Sequence, residues 1–140
     1  MTLNFNGLSP LLSVYDMPQS ISFYRDLLGF EIVSSSPPLP PPRLFHWAML
    51  RHGAPDLNTG LMLNTAYESD DERPPTRSPL TFEAHGDTCL YIACPDVDGA
   101  YHFLQSRGLK LAAPRVAPYG MKQLYLKDPD GYQLCLQWPV

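Results

Sequence analysis

The residues best suited to metal or redox chemistry are three cysteines, Cys89, Cys94 and Cys135, and four histidines, His46, His52, His85 and His102. Their spacing is uninformative: no HxxxH and no CxxC occurs, and an odd number of loosely spaced cysteines does not make a disulfide framework. Ser9 and Ser13 have no assignable base, so a serine nucleophile is disfavoured. Neither G-x-x-x-x-G-K nor G-x-G-x-x-G is present, so no nucleotide-phosphate cradle is indicated. The side chains that remain are hydrogen-bonding and aromatic ones: Gln123, Gln133, Gln137, Tyr91, Tyr125 and Trp47.

These residues sit on a duplicated frame. VYDMPQSISFYRDLLGFEI (14–32) and CPDVDGAYHFLQSRGLKL (94–111) each carry a short apolar strand, an Asp (Asp16, Asp96), about a dozen helical residues, a glycine (Gly29, Gly108) and a second strand. A long-period repeat of this kind marks one supersecondary unit used twice. The first copy reads as a strand over Leu8–Tyr15, a helix capped by Asp16 and ended by Gly29, and strands at Glu31–Ser35, Phe45–Arg51 and Gly60–Asn64. Between them Pro37–Pro42 (PPLPPP) predicts a polyproline-II-like loop. The charged, proline-rich run that follows Tyr67 predicts an exposed linker. The second copy reads as a strand at Cys89–Ala93, a helix over Val97–Arg107, and strands at Lys110–Ala112, Lys122–Lys127 and Gln133–Gln137. Asp128-Pro129-Asp130-Gly131 is a hairpin turn joining the last two. The division is therefore one domain of two modules, residues 8–66 and 88–140, with a linker at 67–87.

Composition bounds the function. A chain of 140 residues that is 44% hydrophobic can bury a real core. Net charge −4 and a pI near 5.4, with no Lys/Arg stripe, argue against nucleic acid as a partner. No apolar run approaches the roughly 20 residues of a membrane span, and Met1–Gly7 resembles no secretory signal, so a cytoplasmic setting is expected.

Strand alternation splits each strand into two sets. Leu12/Val14, Ala48/Leu50, Leu61/Leu63, Leu90/Ile92, Leu124/Leu126 and Leu134/Leu136/Trp138 are expected to face helices. The opposite sets are mixed: Ser9, Leu11 and Ser13; Trp47 and Met49; Met62 and Asn64; Cys89 and Tyr91; Gln123 and Tyr125; Gln133, Cys135 and Gln137. Polar, aromatic and small residues together suit a ligand cavity better than a dry core. Tyr119-Gly120-Met121 is a candidate lip for it.

SVYDMPQSISFYRDLLGF, CPDVDGAYHFLQSRG and LYLKDPDGYQLCL together resemble the vicinal oxygen chelate superfamily, which includes glyoxalase I, extradiol dioxygenases and bleomycin-resistance proteins. The resemblance implies an α+β fold in which two βαβββ modules form curved mixed sheets around a concave cavity, and a homodimer. Metal enzymes of that superfamily take His and Glu ligands from four strands; residue by residue those positions fall on Ser9, Met62, Cys89 and Cys135. A serine and a thioether are poor ligands for hard divalent ions. The expectation is therefore a binding protein without metal or cofactor that sequesters a small aromatic or amphipathic ligand. Its site residues would be Ser9, Trp47, Met62, Cys89, Tyr91, Gln123, Tyr125, Gln133, Cys135 and Gln137. Two alternatives stay open: a metal-dependent lyase, isomerase or dioxygenase using Cys89 and Cys135 with His46 or His85, and a partner-binding module built on the proline loop.

Overall fold

A computed structural model of the chain describes residues 1–54 and 59–140, which divide into two compact units, Met1–Pro74 and Pro75–Val140. In the first, strand β1 (Leu11–Val14) leads into helix α1 (Met17–Ile21), which widens into a π-helical stretch over Ser22–Leu27. Strands β2 (Glu31–Ser35), β3 (Trp47–His52) and β4 (Thr59–Thr65) complete the sheet, in the order β1-β4-β3-β2. The second unit places a short helix α2 (Pro79–His85) before β5 (Cys89–Ala93) and α3 (Val97–Ser106). Strands β6 (Arg115–Val116), β7 (Met121–Lys127) and β8 (Gln133–Pro139) follow, and the order β5-β8-β7-β6 repeats that of the first sheet. In both sheets the first strand runs parallel to the last and the other pairs are antiparallel.

The two repeated aspartates do the same job. Asp16 accepts a hydrogen bond from the Gln19 amide at 3.2 Å and Asp96 one from Gly99 at 2.8 Å, each satisfying an orphan donor at a helix start. Gly29 and Gly108 then leave the helices at φ +84 and +91. One face of each sheet is buried beneath the helix so placed. Leu12, Val14, Ala48, Leu50, Leu61 and Leu63 lie with Met17, Ile21 and Tyr24 in unit 1. Leu124, Leu126, Leu134 and Leu136 lie with Val97 and Leu104 in unit 2. The alternation read from sequence holds along β1, β3, β4, β7 and β8. Trp138 has the helix-facing parity but is exposed, near the end of β8 and opposite Lys122.

Four local expectations are corrected. The first strand begins at Leu11, so Ser9 lies outside the sheet and exposed, although the Pro10 carbonyl accepts from the Met62 amide at 2.8 Å. The proline loop is a turn with a cis Pro41–Pro42 bond and a Leu39 N–H to Leu44 carbonyl bond of 2.7 Å, not a polyproline-II rod. The strand expected at Lys110–Ala112 is absent; pairing starts only at Arg115, beyond Pro114, whose missing N–H cannot join a ladder.

The fourth correction lies in the linker. Residues 79–85 form α2, capped by the Ser78 hydroxyl, which accepts from the Thr81 amide at 3.2 Å, with Pro79 in the first turn. What holds so short a helix is the 128–131 turn. Asp128 Oδ1 accepts from the amides of Asp130 (2.9 Å) and Tyr132 (3.0 Å), and Asp130, nearly fully buried, pairs with Arg77 at 3.3 Å. His85 Nδ1–H donates to the Asp130 carbonyl at 2.8 Å, and the ring stacks on Tyr132 with centroids 4.0 Å apart. Gly131, at φ +90, lets the Phe82 backbone come against it. The most distinctive motif in the sequence is thus a structural buttress.

Candidate functional site

Strand register assembles the second unit's helix-free face in rows. Cys89, Gln133 and Lys127 form one row, Tyr91, Cys135 and Tyr125 the next, and Ala93, Gln137, Gln123 and Arg115 the third. Seven of the ten predicted site residues therefore share this one face. Trp47 and Met62 occupy the corresponding face of the first unit, half-buried, in register with Asn64 and Met49. Ser9 joins neither set.

A hydrogen-bonded network runs across the face. The Tyr91 and Tyr125 hydroxyls meet at 3.4 Å across Cys135, which is 0% exposed although the two tyrosines are 55% and 44% exposed. Tyr125 donates to Gln123 Oε1 at 3.3 Å. Gln123, buried, gives its two N–H donors to the Tyr119 hydroxyl and to Gln137 Oε1, both at 2.9 Å. The sequence marks it as a ligand-facing position; its geometry makes it the hub that fixes two aromatic rings and a second amide. The bond to Tyr91, reinforced by desolvation and by Cys135, pushes the Tyr125 phenol well up, so it remains a neutral donor throughout the physiological range.

Beside this network lies a cleft of ≈ 630 Å³, within the size range of small-molecule sites. Gln123 and Tyr125 form its floor. Tyr119 projects from the turn in which Ala117 N–H reaches the Met121 carbonyl at 2.8 Å and Gly120 takes φ +81. The far wall is Ala112, Ala113, Val116, Ala117 and Pro118, with Arg115 among them. Arg115 had no sequence signal, because its two-residue strand is too short to read. The lip at Tyr119 was legible from the turn glycine beside it.

The donors available for a metal are poor. Burial raises both the Cys89 and Cys135 thiols above their ordinary 9.0; for Cys135 the neighbouring Tyr125 hydroxyl opposes this and Cys89 adds to it. His85, one candidate third ligand, belongs to α2 and is committed to Asp130 and Tyr132. His46 lies in the other unit with Nδ1 3.3 Å from Thr65 Oγ1. Among the described residues no three His, Cys, Asp or Glu side chains are grouped to hold an ion. Two thiols, a thioether and an exposed serine are not the His and Glu set that holds Zn²⁺, Ni²⁺, Fe²⁺ or Mn²⁺ in the enzymes of the fold.

The raised thiols carry a pH consequence. The unfolded chain gives up these protons before the folded one, so their stabilising contribution is whole below pH 9.0 and is lost as pH rises past it. Iodoacetamide at pH 8 is expected to label Cys89 slowly and Cys135 only after urea unfolding, read by mass spectrometry of tryptic peptides. Labelling of native Cys135 at the rate of a free thiol would contradict the burial described.

Two mixed sheets of the same strand order, each with one face covered by a helix and the other carrying polar and aromatic side chains, define a paired βαβββ protein. The chain belongs to the Glyoxalase/Bleomycin resistance protein/Dioxygenase superfamily, whose model matches residues 8–136. It is 31% identical over 123 residues to the uncharacterized protein YaeR of Escherichia coli (strain K12), covering 85% of this chain and 84% of that one. Among solved structures it resembles TnmS3, an antibiotic-binding protein from Streptomyces sp. CB03234, with TM-score 0.69, 24% identity and full coverage of both chains. It also resembles a superfamily member from Sphaerobacter thermophilus (TM-score 0.67, 25% identity, 96% and 97% coverage). The bleomycin resistance determinant encoded on transposon Tn5 shares the fold at 20% identity and TM-score 0.65, with 96% and 98% coverage.

Proposed function

We propose that this protein binds a small aromatic or amphipathic molecule without a metal and acts by sequestration. The observation that carries this reading is the Tyr91–Tyr125–Gln123–Tyr119 network beside the ≈ 630 Å³ cleft, which presents hydrogen-bonded aromatic rings and hydroxyls to a ligand. Two solved structures of the same fold are of an antibiotic-binding protein and a bleomycin resistance determinant, which supports the same class of function. We place it in the cytoplasm as a homodimer: the helix-free faces leave Leu11 and Tyr91 exposed, apolar surface that a second copy would cover. Among the described residues no helix is long and apolar enough to cross a membrane.

The test is a thermal-shift screen of planar and amphipathic compounds on protein whose metal content has been measured before and after exposure to Zn²⁺, Ni²⁺, Fe²⁺ and Mn²⁺ under reducing conditions. Stabilisation of about 3 °C or more by compounds at saturating concentration, unchanged by chelator, is the expected result. One metal held tightly per chain and lost in Cys89→Ala or Cys135→Ala would replace this reading with the metalloenzyme alternative.

A further inference from the structure

We propose that the cleft beside β6 selects an aromatic oxyanion, a planar ring bearing a carboxylate or similar group, and that Arg115 is the residue that binds the charge. The inference rests on the binding reading above and adds the chemical class of the ligand.

Four basic side chains, Arg25, Arg43, Arg77 and Lys122, each pair with an aspartate. Arg115 has no acidic partner among the described residues, and no Asp or Glu lines the cleft that it faces. Its register opposite Gln123 puts it on the same face as the tyrosine network, about 5 Å across the ladder by strand geometry. The other polar groups there are already oriented. The Tyr125 proton goes to Gln123, and both Gln123 N–H groups are engaged. The Tyr119 oxygen accepts from Gln123, which leaves its own O–H to donate outward. The side-chain groups left over in the cleft are therefore donors: a guanidinium and a phenol. The remaining wall is alanine, valine and proline, flat and apolar. Such a cleft turns its one charge and its free side-chain donors toward a ring that ends in an acceptor with negative charge. Because Arg115 is exposed, the attraction operates through solvent and is salt-sensitive.

The experiment compares 2-naphthoate with 2-naphthylmethanol by titration calorimetry on the full chain. The acid is expected to bind at least about tenfold more tightly. The preference should vanish in Arg115→Gln, shrink at about 0.5 M NaCl, and persist in part in Arg115→Lys, with thermal midpoints reported for each variant. Equal affinities in the unaltered protein, or a preference that survives in Arg115→Gln, overturn the inference while leaving the binding function intact. Failure of both probes to bind also overturns it; the binding function itself then falls only if the broad compound screen is empty too.

Discussion

Replacing Gly131 by alanine is expected to cost about 4 kcal/mol, near the upper end of single-substitution effects. Two costs coincide. The backbone sits at φ +90, where a side chain adds about 1–3 kcal/mol of strain. A Cβ there would also fall on the Phe82 carbonyl, which is main chain and cannot rotate away. Relief requires α2 to lift, and lifting it breaks the His85–Tyr132 stack and the His85 bond to Asp130. The variant should show a lower urea midpoint with an unchanged slope, and faster proteolysis within 79–85. A melting temperature within about 2 °C of the unaltered protein would mean that α2 is not clamped as described.

Gln123→Leu should separate architecture from binding. The substitution keeps the volume and removes every side-chain hydrogen bond of the hub. Tyr119 and Tyr125 are exposed and can turn to water, whereas Gln137 Oε1 loses its donor. A stability loss of about 1–2 kcal/mol is expected. Affinity for any ligand of the cleft should fall by about tenfold or more, because the rings are no longer held in place before binding. Near-ultraviolet circular dichroism would report the freed tyrosines. Full affinity in this variant would show that the network does not organise the site.

How much of this could be read from sequence depended on whether the signal was local. Ala48 and Leu50 against Trp47 and Met49, or Leu134 and Leu136 against Gln133 and Cys135, carry their own face assignment, since alternation along a strand is a property of consecutive residues. The cap at Asp16 was legible for the same reason, and the repeat placed Asp96 at the matching position. Helix α2 was not, because Leu80 points to solvent and no apolar period survives; only Ser78-Pro79 marked its start. The 128–131 turn was legible as a turn but not as a seat for Phe82 and His85, which arrive from about 45 residues away. Gln123 illustrates the same limit at the site: its face was readable, but its three partners were not, since hydrogen-bond saturation is settled only in three dimensions.

The strand order has a consequence for biosynthesis. In each sheet the last strand made is an inner one: β4 lies between β1 and β3, and β8 between β5 and β7. A nascent chain can close its first sheet once Thr65 has left the ribosome, before the strands of the second have emerged. The second sheet likewise waits for its last-made strand. Until β8 is released, β5 and β7 have no common neighbour, and their apolar faces and unpaired edges wait in the open. A premature stop just after the 128–131 turn would therefore leave one finished half joined to one that cannot assemble. Such a fragment is a natural substrate for chaperones and proteases.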